Sequence, residues 1–137
     1  MKNIQSYLTF NGNCREAMHF YQHCLGGELY IQTIAETPMG SRFPDNMKNA
    51  VLHSSLTKGN MVILGSDMVG QHGLIKGNAV SMVLNCTSEK EVFDCYRSLS
   101  EGGEVLHEIE LTFWGAHFGD LNDRYGNHWF LHYHPDM

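Results

Sequence analysis

Nine histidines in a chain of 137 residues are the first feature with chemical content. Imidazole is the side chain whose ordinary ionisation falls nearest neutral pH, so a cluster of imidazoles points to proton transfer, anion binding or metal ligation. His53, His117 and His128 are the candidates for catalytic groups, while His107 and His132 join Phe113, Trp114 and Phe130 as candidates for ligand contact. His128, Phe130 and His132 alternate along 127–133 and so share one strand face. The plainer alternative for each histidine is a local hydrogen bond or a place at the surface. His19 and His23 stand four apart on a helix, a spacing compatible with metal. Their stripe lies opposite the apolar one, so they are expected to be exposed, as is His134.

Phe113 and Trp114 precede Gly115 in a segment without a clean strand period. Rings beside a glycine can cover a bound molecule; filling the core or a dimer seam is the alternative. Gly115 and Gly119 fit a bulge or a close backbone approach. Glu108, Glu110 and Asp67 would each serve as a general base if partly buried, although a turn cap is the expected role of Asp67. Asp120, Asn122 and Asp123 lack the calcium-loop pattern and its terminal Glu, so they are expected to form the turn into the last strand, with Arg124 paired at the surface. Cys14, Cys24, Cys86 and Cys95 lack metal-knuckle spacing and are expected as free thiols, buried or half-buried.

The elements that must position these groups follow from periodicity. A first strand at 4–10 leads through Asn13, a candidate helix cap with Glu16, into a helix whose Ala17, Phe20, Tyr21 and Cys24 form one apolar stripe ended by Gly26-Gly27. A strand at 28–34 is followed by a long segment, 35–49, without a clear period. Such a loop is mobile, part of a binding edge or a dimer arm. Strands at 50–57 and 61–66 form a hairpin over Lys58-Gly59-Asn60. After a polar, Gly-rich stretch at 67–77 the pattern restarts: a strand at 78–85, a capping box from Ser88 to Glu91, a helix with Val92, Cys95, Tyr96 and Leu99 on its stripe, and strands at 104–109, 115–121 and 127–133.

The restart is a repeat in letters too. FYQHCLGGEL at 20–29 parallels CYRSLSEGGEV at 95–105 with one inserted residue, and KGNMVIL at 58–64 parallels YGNHWFL at 125–131. The chain is therefore expected to be one α+β domain of two strand–helix–strand–strand–strand repeats, about 1–66 and 78–137, joined by the linker 67–77. The formal charge of −6 and the lack of any Lys/Arg-rich stretch speak against a nucleic-acid or anionic-membrane partner. The N-terminal segment lacks a signal-type apolar core and no apolar run is long enough to span a bilayer, so a cytoplasmic protein is expected.

The run YLTFNGNCREAMHFYQHCLGG at 7–27, GSD at 65–67, LTFWGAHFGDLNDRYGNHW at 111–129 and LHY at 131–133 resemble the PhnB-like branch of the vicinal-oxygen-chelate superfamily, which also holds glyoxalases, extradiol dioxygenases and bleomycin-resistance proteins. The resemblance spans nearly the whole chain. It implies paired βαβββ units forming a curved, cup-like mixed sheet, usually completed in a homodimer. Metal-dependent members hold a divalent ion with His, Gln or Glu from the first, fourth, fifth and eighth strands. Carried onto this chain, those slots fall at Ser6, Ile63 (Leu64 in the shifted register), Ser81 and Phe130, none a usual ligand. If Phe130 occupies such a slot, His128 and His132 face the cup with it. Sequences of this branch are often described as demethylubiquinone methyltransferases. No glycine-rich loop follows the first strand here, so an adenosylmethionine site is not expected.

The expected function is binding of a small organic ligand without the usual metal and with no cofactor. The alternatives are a lyase, isomerase or dioxygenase working through a displaced histidine-rich site, whose sharper form holds a relocated divalent metal, and a purely structural homodimer module.

Overall fold

The structure, a computed structural model, describes residues 1–136. It divides into two compact units, Met1–Ile75 and Lys76–Met137. The first contains β1 (Ser6–Thr9), α1 (Cys14–Leu25), β2 (Glu28–Thr33), β3 (Val51–Lys58) and β4 (Met61–Ser66). The second contains β5 (Met82–Asn85), α2 (Glu89–Ser100), β6 (Glu104–Leu111), β7 (His117–Asn122) and β8 (His128–Tyr133). Each unit builds a four-stranded sheet with the same connectivity, β1-β4-β3-β2 and β5-β8-β7-β6. The first strand of each pairs in parallel with the last, and the remaining pairs are antiparallel. The fold is therefore α+β with paired βαβββ units, and the repeat in letters is a repeat in topology.

One face of each sheet carries a helix. In the first unit α1 sends Cys14, Ala17, Met18, Phe20, Tyr21 and Leu25 into the core, and Leu56 and Ile63 meet it from the sheet. In the second, Val92, Tyr96 and Leu99 of α2 lie over Leu121, Trp129 and Leu131. Each large aliphatic or aromatic side chain so buried contributes about 1.5–3 kcal/mol over leaving it exposed. Strand alternation leaves the opposite face of each sheet to the intervening residues.

Local chemistry differs from expectation at several points. Asn13 makes no side-chain cap bond. Asp67 does the work instead: Oδ1 accepts from the backbone N–H of Gly12 (2.9 Å) and of Cys14 (3.0 Å), and Oδ2 from that of Val51 (2.9 Å). Asp67 is thus a brace between the start of α1 and the start of β3. In α2 only half of the expected box forms. Ser88 Oγ accepts from the Glu91 N–H at 3.0 Å, but the Glu91 carboxylate turns to the Thr87 N–H at 2.9 Å. Segment 35–49 is not structureless: it coils through three 3₁₀ turns, Ile34–Glu36, Pro38–Arg42 and Asp45–Met47. Its ends are tied by the N–H of Ile34 to the Ala50 carbonyl and that of Ala35 to the Lys48 carbonyl.

β6 and β7 carry a bulge that sets up the site. His107 pairs with Asp120 and Glu110 with Phe118, so Glu108 and Ile109 together oppose the single Gly119. A Cβ on Gly119 would stand 2.8 Å from the His107 carbonyl oxygen and 2.9 Å from the Ile109 nitrogen, so only glycine lets the bulged strand approach. The Tyr96 hydroxyl clamps the place, donating to the carbonyls of His107 (2.8 Å) and Asp120 (3.0 Å).

Candidate functional site

With Trp129 and Leu131 turned to α2, β8 presents His128, Phe130 and His132 on the other face of its sheet. Register places Asn122, Asp120 and Phe118 of β7 opposite those three. The rings form a continuous layer. Phe118 stacks on Phe130 with centroids 5.3 Å apart and planes at 21°. His128 meets Phe130 edge-on at 4.7 Å, and His132 meets Phe118 edge-on at 6.3 Å.

Beside this layer runs a chain of hydrogen bonds. Ser81 Oγ lies 2.5 Å from His128 Nδ1, His128 Nε2 lies 2.7 Å from Asp120 Oδ2, and His107 Nδ1 lies 2.7 Å from Asp120 Oδ1. The Asp120 side chain is 10% exposed, that of His128 21% and that of His107 84%. Burial pushes the Asp120 carboxyl upward, but the hydrogen bonds from His128 and His107, with their charge, outweigh it and hold the group below the usual carboxylate range. An ionised carboxylate only accepts. Both ring nitrogens that face Asp120 therefore carry hydrogen. In the neutral ring His128 Nδ1 is then a bare lone pair, and the Ser81 hydroxyl donates to it. A cleft of about 290 Å³ opens against His128, bounded by Gly77, Asn78, Val80, Leu106, Asn122 and Gly126.

Of the sequence candidates, the structure brings together His107, His128, Phe130 and His132. Asp120 was expected in a turn; it is instead a strand residue and the centre of the cluster. The missed signal was pairing: a hairpin closed over Asp123–Asn127 puts Asp120 across from Phe130, on the face of His128. Asp123 is the turn builder. Its Oδ1 accepts from the N–H of Tyr125 (2.8 Å) and its Oδ2 from the Trp129 indole (2.9 Å). Arg124 Nε donates to the Glu101 carbonyl at 3.1 Å.

The other candidates have other neighbours. His117 is on the helix side of β7, its ring 5.9 Å from those of Phe93 and Tyr133. His53 belongs to the first unit, on β3 opposite Gln32. Phe113 and Trp114 form the tip of the β6–β7 hairpin, packed edge-on to each other at 4.9 Å and 98% and 51% exposed. Glu108 and Glu110 are exposed on β6.

The residues at the positions that the resemblance assigns to a metal do not fit a divalent ion. Ile63, 4% exposed, packs on the helix side, and Ser6 is its parallel partner. The shifted register brings only aliphatic Leu64 to the opposite face. Phe130 offers no donor, and Ser81 is tied to His128. Among the described residues no group of three or more His, Cys, Asp or Glu side chains is arranged to hold a metal. Nor is any helix among them long and apolar enough to cross a membrane.

Comparison with known proteins shows the family and the fold. A family model described as 3-demethylubiquinone-9 3-methyltransferase matches residues 2–132. Protein YjdN of Escherichia coli is 30% identical over 144 aligned positions, covering 93% of this chain and 92% of its own. Among solved structures, protein PA1353 from Pseudomonas aeruginosa superimposes with a TM-score of 0.83 at 34% identity, covering 98% of each chain. A putative 3-demethylubiquinone-9 3-methyltransferase, PhnB protein, from Bacillus cereus gives 0.76 at 25% identity, covering 96% of this chain and 99% of its own. A glyoxalase/bleomycin resistance protein/dioxygenase family enzyme from Burkholderia phytofirmans, at 13% identity and a TM-score of 0.63, covers 93% of this chain and 96% of its own and shows the shared fold.

Proposed function

The chain belongs to the family described as 3-demethylubiquinone-9 3-methyltransferase, the PhnB-like branch of the glyoxalase/bleomycin-resistance/dioxygenase superfamily, and on that premise we propose that it binds a small organic molecule on the face of its second sheet opposite α2. The observation that carries the reading is the His128–Asp120–His107 cluster, set beside a stacked Phe118/Phe130 layer and a cleft of about 290 Å³. An apolar platform with a few convergent polar groups is the usual make-up of a small-molecule site. The rings take the apolar body of the ligand, and the imidazoles meet a carbonyl or anionic group. Binding of this kind needs no metal, and the protein acts as a homodimer in the cytoplasm.

The methyl transfer in the family's description has no counterpart in these residues. The first strand passes to α1 through Asn11-Gly12-Asn13, not a glycine-rich loop, and neither sheet is the doubly wound parallel type that cradles an adenosine cofactor.

The test is a titration of the imidazole ¹H–¹⁵N resonances with a panel of small organic acids and carbonyl compounds. Ligands that bind are expected to move His107, His128 and His132 together and to lose affinity in His128→Ala. Ligands that bind while moving only resonances outside this face would overturn the reading. A second reading, an isomerase or lyase, is favoured by the hydrogen-bonded path from Ser81 through His128 to Asp120. Solvent deuterium incorporated into a bound carbonyl compound, and lost in His128→Ala, would select it over binding alone.

A further inference from the structure

We propose that Ser81 is a base-activated nucleophile that accepts an acyl group from small activated esters or thioesters. The inference rests on the binding site assigned above and adds covalent chemistry to it. Three features carry it. The Ser81 hydroxyl is 2.5 Å from the nitrogen of His128 that the tautomer argument leaves bare. The opposite nitrogen of that ring is fixed at 2.7 Å from Asp120, whose other oxygen is fixed in turn by His107 at 2.7 Å. The cleft of about 290 Å³ is walled by His128 and by Gly77, Asn78 and Val80, which lead directly into Ser81.

Nucleophile, base and base-orienting carboxylate are thus in hydrogen-bond reach and in order. The ring is also held against Phe130 at 4.7 Å, so it cannot swing freely from the hydroxyl. A serine placed only to satisfy an imidazole would not need the second nitrogen of that imidazole pinned to a buried, ionised carboxylate. At about 290 Å³ the cleft is at the lower end of ligand sites, which suits acyl groups of a few carbon atoms.

The reaction balances without an oxidant or metal. Ser81 Oγ bonds to the acyl carbon as its proton passes to His128 Nδ1. The bond from that carbon to the leaving alcohol or thiol breaks, and the leaving group takes the proton from His128. Water then attacks the acyl-serine with His128 again as base, which releases the acid and restores Ser81.

The experiment uses the full chain and p-nitrophenyl acetate at neutral to mildly alkaline pH, following p-nitrophenolate release and mapping the acetylated residue by peptide mass spectrometry. Acetyl is expected on Ser81. His128→Ala is expected to lower the labelling rate by on the order of 10²-fold. Added imidazole should restore part of that rate, which a merely structural role for His128 would not allow. Asp120→Asn lowers the rate in the same direction, whereas Ser100→Ala, whose hydroxyl donates to the Arg97 carbonyl, leaves it unchanged. Ser81→Ala labelled as fast as the wild type, or wild type carrying acetyl only at other residues, overturns the proposal. Near-isosteric Ser81→Ala, with its fold checked by unfolding midpoint, is also titrated with the ligands above. Ligand shifts at His128 that survive while Ser81 never labels overturn the nucleophile alone, and loss of both overturns the binding site as well.

Discussion

Asp120→Asn tests the cluster through thermodynamics, independently of any ligand. The replacement keeps the shape but offers one carbonyl and one NH₂ where the carboxylate offered two acceptors. His128 Nε2–H and His107 Nδ1–H cannot both be accepted, so one ring must change tautomer or face donor to donor. The bond to His128, half-shielded and 2.7 Å long, is of the charge-assisted kind worth about 1.5–3 kcal/mol. The bond to His107 is discounted to about 0–1 kcal/mol because that side chain is 84% exposed and screened by water. A loss of about 2–4 kcal/mol at neutral pH follows. Its pH dependence has a definite sign. The folded-state carboxyl lies below its ordinary value of about 3.9, so the stability it confers is present above that value. That stability is lost as pH falls through the folded-state value. Urea unfolding of both proteins from neutral to strongly acidic pH measures it. A neutral-pH difference under about 0.5 kcal/mol, the noise of an ordinary surface substitution, would refute the reasoning, as would a difference that persists unchanged below the carboxylate range.

Three further outcomes are expected. Gly119→Ala drives a Cβ to 2.8 Å from the His107 carbonyl oxygen, so the bulge must shift; a cost of about 1–3 kcal/mol should appear in denaturant midpoints together with a moved His107 resonance. Asp67→Ala strips an acceptor from the N–H groups of Gly12, Cys14 and Val51; a loss of about 2 kcal/mol and faster amide exchange in the first turn of α1 should follow, and unchanged exchange would count against the brace. Burial, only partly offset by the Ser54 hydrogen bond, pushes the Cys14 thiol up to about 11, so iodoacetamide at mildly alkaline pH should spare Cys14 in the folded protein and modify it in urea; equal rates would contradict that environment.

What was legible in the letters was what local pattern encodes. The apolar stripe of α1, the twin glycines after it and the two GN turns fix each βαβββ unit, because periodicity and turn chemistry act within a few residues. The alternation His128–Phe130–His132 likewise named one face of β8 correctly. Asp120 was hidden because its role depends on which residues it faces across β8 and β6. The second of those pairings is displaced by a bulge opposite Gly119. Asp67 was ambiguous for the same reason: its three N–H partners come from segments up to 55 residues away.

Ser81 shows how the two levels combine. The family resemblance singled it out as a slot where a metal ligand should stand, and the structure gives that slot a hydrogen-bonding task instead. Both nitrogens of His128 are engaged, one by Ser81 and one by Asp120, so an ion ligated by this ring would have to displace one of them. Metal ligation and proton transfer are competing uses of one imidazole, and here the bond to Asp120 turns the other ring nitrogen toward a hydroxyl. One position that the resemblance assigns to metal ligation, Ser81, thereby holds a hydroxyl within hydrogen-bond distance of an imidazole nitrogen.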